Sequence, residues 1–498
     1  MTLTQYGYQR SLRLLAPILL VCLCAQLAFA QVVTYSAPSG VSMSGDYIVK
    51  VGGKNIPVYR SGSPGALPQP APYDKTTDLC SFATFDFSGS AQVEITSPVY
   101  PLGNAVVRPA SKGVVPSVTG GVMRFTVTKA FSHLSIEPNG KHQPLLLFAN
   151  PIDVNVPAPD APGVVYLGPG LHKGLISLSS NQTLYLAGGA VLQGGVFAKG
   201  KGITIRGRGI VDGLPAVMAN KGPQVRWYRD AMVCGQDCTN LRVEGIILKD
   251  AFGSAVTYHR CIGVTTDNIK IVGDQGDGFH NFNTGDLHIS DCFIRTDDDC
   301  VYLGVSWAQT PLTDIVTMTR CSLWTNRANI WRIGSGWQQL GVPSPSMRNL
   351  TFTNIDVLHY DTYPYDHQNP VARIGGNKDQ NVEHVRFENI RINREGQSEL
   401  WEVKTYKDTN TKISDCYFKD IFVTGAFNET YGAIRVGAID ALSTVSDVTF
   451  ENIMRHGQLT LETSPGVHAG SNTSNITFIG STTAGNLPPT ISRATNGK

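Results

Sequence analysis

A short alternation of apolar and polar residues, anchored on phenylalanine, recurs along the second half of this chain. Asn349-Leu350-Thr351-Phe352-Thr353-Asn354-Ile355-Asp356-Val357 is followed by His384-Val385-Arg386-Phe387-Glu388-Asn389-Ile390-Arg391-Ile392 and by Asp415-Cys416-Tyr417-Phe418-Lys419-Asp420-Ile421-Phe422-Val423. Later copies place Phe450 and Phe478 in the same slot, and looser copies begin at Asn240 and Asp286. Phe352, Phe387, Phe418, Phe450 and Phe478 lie 35, 31, 32 and 28 residues apart. Each copy reads as a strand, a polar corner such as Thr353-Asn354, and a second strand. Such a unit cannot bury its inward face alone and must stack on its neighbours. Amphipathic helical patterns are nearly absent, which argues against a barrel of alternating strands and helices. A β-propeller needs about 40 residues and four strands per blade. The all-β architecture that fits is a right-handed parallel β-helix over residues 160–490.

Residues 31–155 follow a different pattern. Runs such as Tyr47-Ile48-Val49-Lys50-Val51, Ala91-Gln92-Val93-Glu94-Ile95 and Val122-Met123-Arg124-Phe125-Thr126-Val127 are separated by Gly, Pro and Ser turns. Short alternating strands at this spacing predict an N-terminal antiparallel β-sandwich. The extended, proline-rich segment from Pro151 to Pro159 reads as the connection.

The first 30 residues have the form of an export signal. Arg10 and Arg13 precede an apolar run from Leu14 to Leu27, and Ala28-Phe29-Ala30 offers a small-x-small cleavage site before Gln31. The run is shorter than the ~20 residues a membrane span needs, so the expected product is secreted or periplasmic. Loss of two arginines from 41 basic residues leaves 39 against 39 acidic. A neutral chain has no electrostatic footprint for nucleic acid or an anionic membrane. Cys234 and Cys238 are close enough in sequence for a local disulfide after export. Cys292, Cys300 and Cys321 fall in or beside strand patterns and are expected to pack as thiols.

The chemistry is concentrated in Gly276-Asp277-Gly278-Phe279 and Thr296-Asp297-Asp298-Asp299-Cys300. Asp277 and Asp298 are 21 residues apart, close to one turn of a solenoid. Stacked strands lie ~4.8 Å apart. Carboxylates held that close cannot all keep ordinary pKa values, so an acid and a base can coexist at one pH, as glycosidic hydrolysis requires. Adjacent strand residues point to opposite faces. Asp298 and Asp299 can therefore both face a cleft only at a bend, with Asp297 the residue that turns away.

These two motifs resemble the polygalacturonases, glycoside hydrolase family 28, which carry an Asp-Gly pair and, about a coil later, Asp-Asp-Cys. Asn181–Leu192 and Ile203–Gly213 resemble the first coils of that clan, and the resemblance spans most of residues 160–480. Two departures stand out. Where the family has a Gly-His-Gly this chain reads Ala328-Asn329-Ile330, and where it has Arg-Ile-Lys this chain reads Arg373-Ile374-Gly375. Without the lysine, a neutral sugar becomes more plausible than a galacturonate. The sister family 49, dextranases and isopullulanases, is similar around Leu323–Trp337 and places a β-sandwich before its β-helix. The resemblance implies Asp298 as general acid, Asp277 and Asp299 holding the attacking water, inversion at the anomeric carbon, no cofactor and no metal.

Tyr302, Trp307, Trp331 and Trp337 lie near the carboxylates in sequence, where aromatic faces would bind sugar rings. His280, Asn329, Arg332 and Arg373 are candidate contacts to sugar hydroxyls. The expected protein is a monomeric hydrolase of a polysaccharide, dextran-like or, alternatively, pectic. Two other classes share such a sequence. A polysaccharide lyase would use the carboxylates for calcium, and a glycan-binding β-helix would not need them. The segment from Tyr360 to Gln368 could close one end of a cleft and impose exo action.

Overall fold

The computed structural model describes residues 31–62, 79–213, 231–480, 492–493 and 495–496, apart from 252, 275, 306–312, 327, 335–345, 361–368, 377, 394–399, 406–408 and 425–433. The export signal, Trp307, Trp337 and residues 361–368 lie outside these. No helix of the described residues is long and apolar enough to cross a membrane.

The described strands from Val164 to Ile479 form one coil, paired in parallel except for the short Gln458–Leu459. Phe279–Phe282, Gly285–Ser290 and Phe293–Thr296 make one turn, and each pairs in parallel with the strand three places on. The coil is therefore three-sided, a parallel β-helix. The two bent strands of each repeat are present as Met347–Tyr360, Asn381–Ile392, Lys412–Val423 and Thr444–Arg455. They bend at Asn354, Asn389, Asp420 and Asn452, all left-handed with φ of 53–55°. Asparagine and aspartate tolerate that conformation better than other L-residues because their side chains bond locally. Here they also bond between coils: Asn389 Nδ2 donates to Asn354 Oδ1 at 2.6 Å, and Asn452 Nδ2 to Asp420 Oδ1 at 2.5 Å.

The sequence-read phenylalanines form a ladder inside the coil. Ring centroids of Phe352, Phe387, Phe418, Phe450 and Phe478 follow one another at 4.6, 5.3, 4.7 and 4.9 Å, with ring planes within 18°. The repeat also holds a third, shorter strand, which the two-strand reading missed: Trp331–Ile333, Ala372–Ile374, Trp401–Lys404 and Ile434–Gly437. These strands form the face that carries the site.

Gln31–Pro151 folds into two sheets, chiefly antiparallel, that share one core of Val49, Val51, Phe85, Val93, Ile95, Phe125, Leu145 and Leu147. The outer face of one sheet, with Tyr59, Phe82 and Phe148, packs on Phe293, Trp324 and Leu358 of the coil. A buried Glu137 crosses the junction, accepting from His359 Nε2 and Arg108 Nε, both at 3.0 Å. The chain then returns: Ser492–Arg493 and Thr495–Asn496 pair with Val106–Arg108 and Ser117–Thr119 of the two sheets.

The Cys234–Cys238 disulfide does not form. All eight described cysteines are buried thiols. The strand holding both, Val233–Glu244, bends at a left-handed Asp237 (φ 54°). Cys238 turns into the coil's core beside Cys261, and Cys234 lies outside that cluster.

Candidate active site

The carboxylates sit where the chain turns from the sheet-packed face into the short third strand. Asp277 precedes Phe279–Phe282, Asp298 and Asp299 precede Val301–Gly304, and Asn329 precedes Trp331–Ile333. Backbone rungs lock these loops in a stack: Gly278 N–H donates to Asp299 O at 2.9 Å, and Cys300 N–H to Asn329 O at 3.0 Å. Gly278 permits that closeness, since a Cβ there would lie 2.7 Å from Cys300 O and 2.6 Å from Ile294 Cγ2.

The expected bend is present at Asp297 and Asp298. Asp297 turns away and accepts from Asn326 Nδ2 at 2.7 Å. The peptide N–H of Asp299 points at both neighbours, 3.0 Å from Asp298 Oδ1 and 3.2 Å from Asp277 Oδ1. Each of the three carboxylates has an oxygen within 4.8 Å of the others. Asp299 is buried and accepts from the Asn329 N–H at 2.9 Å, whereas Asp298 keeps more solvent contact. Burial pushes the Asp299 carboxyl well above the usual carboxylate range. The charges of Asp277 and Asp298 push it further, and Arg332 and the Asn329 N–H offset part of this. The same three oxygens have the donor chemistry for a hard divalent cation.

On the third-strand face, outward residues stand in register from coil to coil: His280, Tyr302, Arg332, Arg373, Glu402 and Arg435. His280 Nδ1 contacts Asp277 Oδ2, and its ring stacks on Tyr302 at 4.6 Å. Arg332 lies over Tyr302 at 5.8 Å, reaches Asp299 Oδ2 at 3.7 Å, and is 40% exposed. Arg373 Nε is 2.6 Å from Glu402 Oε2.

Three sequence-read contacts are corrected. Trp331 is fully buried and packs on Phe387 and Trp401 at 5.2 and 6.4 Å, because it is the inward neighbour of outward Arg332. Tyr302 lies on the outward row of the third-strand face, but it is 6% exposed between His280 and Arg332 and offers no open ring face. Asn329 is buried, its Nδ2 donating to Pro370 O at 2.6 Å, so it supports Asp299 through its backbone. Glu402 and Arg435 were missed, although a cassette signals them: apolar, inward residue, charged, apolar occurs as Ile330-Trp331-Arg332-Ile333, Val371-Ala372-Arg373-Ile374, Leu400-Trp401-Glu402-Val403 and Ala433-Ile434-Arg435-Val436. A groove of about 440 Å³ also runs along the Asn354–Asn389 corner. Among its lining residues, Asn389 already bonds Asn354 and Asn452 bonds Asp420.

Residues 193–317, which include all three carboxylates, match the family model described as glycosyl hydrolases family 28. A polygalacturonase of Malus domestica is 28% identical over 116 residues, 22% of this chain. The chain spans only about a quarter of that relative's length (25%). Dex49A from Penicillium minioluteum has the same fold, with a TM-score of 0.57, 15% identity, and coverage of 90% of this chain and 96% of its own. The family 28 exopolygalacturonase of Yersinia enterocolitica aligns with a TM-score of 0.44 and 12% identity over 80% of this chain and 98% of its own. These matches bear out the resemblance to the clan of families 28 and 49.

Proposed function

We propose that this chain is an exported, monomeric glycoside hydrolase that inverts the anomeric carbon of a neutral, dextran-like α-glucan. In this reading a right-handed β-helix is the catalytic domain and a β-sandwich precedes it. The observation that carries it is the convergence of Asp277, Asp298 and Asp299 inside the segment matched to family 28. Asp298, the most open of the three, gives its proton to the glycosidic oxygen as the bond to the anomeric carbon breaks. A water attacks that carbon from the other side and loses its proton to Asp277 or Asp299. The leaving sugar departs neutral, and the cluster ends with the number of protons it began with. A neutral substrate is supported by the glycine that stands in place of the family-28 lysine at Gly375 and by the Arg373–Glu402 pair, which neutralises the arginine of that motif.

A second reading follows from the spacing. Inverting carboxyls are expected roughly 6.5–9.5 Å apart and retaining ones ~5–5.5 Å, and here the nearest oxygens lie within 4.8 Å. Early products from dextran, followed by proton NMR, separate the two: the β-anomer appears first under inversion, the α-anomer under retention. Running dextran, pullulan and polygalacturonate with and without chelator tests the class. Chelator-resistant release of reducing sugar from dextran is expected, and calcium-dependent formation of unsaturated uronides would make the protein a lyase instead.

A further inference from the structure

We propose that His280 is a positioning residue that fixes the Asp277 carboxylate through its Nδ1–H, rather than a contact to sugar. The inference rests on the hydrolase reading, in which Asp277 helps hold the attacking water. Asp277 lies between Gly276 and Gly278, which give it no side-chain support from its own neighbours. Its orientation is set from two directions instead. Oδ1 accepts the Asp299 N–H at 3.2 Å from the next coil, and Oδ2 meets His280 Nδ1 from the following strand. In that reading Asp277 is a base that takes a proton from water, and a carboxylate in that role only accepts hydrogen bonds, so Nδ1 is the donor.

His280 is itself held. Its ring stacks on Tyr302 at 4.6 Å with 17° between planes and tilts against Phe282 at 4.5 Å. Tyr302 carries Arg332, and Arg332 reaches Asp299. The contacts close a ring: Asp277, His280, Tyr302, Arg332, Asp299, and back to Asp277 through the Asp299 N–H. Two carboxylates of the cluster are thereby fixed relative to each other by side chains on three successive coils. The His280 side chain is only 14% exposed, so little of it remains for substrate.

Two variants separate the N–H from the ring. His280→Phe keeps the stack on Tyr302 and removes the donor. His280→Asn removes the ring and returns an N–H near the place of Nδ1. On dextran, His280→Phe is expected to lose about 100-fold in kcat, the scale of a reacting group displaced by ~1 Å, with KM within about twofold. His280→Asn is expected to recover to within about tenfold of the wild type. Activity in the Phe variant equal to wild type, or an Asn variant no better than Phe, overturns the inference. Crystal structures of both variants read it without substrate. Asp277 should leave the Asp299 N–H in the Phe variant and keep it in the Asn variant, and an unmoved Asp277 in the Phe variant overturns the proposal. If the wild type releases nothing from dextran, the substrate reading fails, and the crystallographic comparison alone judges the role of His280.

Discussion

Replacing Glu402 by glutamine should convert the third-strand face around Arg373 into an anion-binding surface. Glu402 lies 2.6 Å from Arg373 and 3.7 Å from Lys404, and the Arg373 and Glu402 side chains are 16% and 10% exposed. An exposed ion pair contributes ~0.2–1 kcal/mol, and breaking a fully buried one costs ~3–5 kcal/mol. A pair buried to this degree falls between, so the variant should lose about 2 kcal/mol of stability. In exchange, the Arg373 guanidinium loses its Glu402 carboxylate on the outward row of the third-strand face. A charge-assisted hydrogen bond from it to a uronate carboxylate contributes ~1.5–3 kcal/mol, which is about 10- to 150-fold in affinity. Titration calorimetry at low salt, with trigalacturonate and isomaltotriose as ligands, reads this directly. Trigalacturonate should bind at least about tenfold more tightly to Glu402→Gln than to the wild type, with isomaltotriose unchanged. An unchanged affinity for trigalacturonate in a folded variant would refute the idea that Glu402 sets the charge of that face.

Phe387→Ala removes the centre of the ring ladder and should cost about 3–5 kcal/mol in chemical denaturation, while an exposed change such as Ile262→Ala should leave the midpoint in place. Gly278→Ala puts a methyl group 2.7 Å from Cys300 O, so the rung under Asp277 must open, and turnover should fall at least about tenfold with the fold retained. The Asp299 carboxyl has a raised pKa when folded, so the folded state binds the extra proton and stability falls as pH rises from the unfolded value of ~3.9 through the folded value. Asp299→Asn should therefore raise the denaturation midpoint at pH 7, and that gain should vanish below about pH 4; a midpoint that drops at pH 7 contradicts the assignment.

The coil was legible because its inward residues recur at a spacing that only stacking can satisfy. Phe352, Phe387, Phe418, Phe450 and Phe478 needed no structure to be placed on one face. The carboxylates were legible for a related reason, since one turn of the coil separates Asp277 from Asp298 and two glycines flank Asp277. The third strand was hidden by its length: three or four residues between loops give too few alternations to stand out. Missing it had one consequence for the site. Trp331 and Arg332 were both assigned to the cleft, although strand alternation allows only one of them to face outward. The His280–Asp277 contact, and the closing of Ser492–Arg493 and Thr495–Asn496 onto the N-terminal sheets, depend on how coils and sheets meet in space. No local pattern encodes either.

The most direct test of the site compares the release of reducing sugar from dextran by the wild type, Asp298→Asn and Asp297→Asn. The two aspartates are adjacent, yet Asp297 is turned to Asn326 and Asp298 faces the other carboxylates. Loss of a general acid should lower kcat by about 10²–10⁴ for Asp298→Asn, while Asp297→Asn stays within about tenfold of the wild type. A folded Asp298→Asn that keeps wild-type turnover, or an Asp297→Asn that loses it instead, would contradict the account.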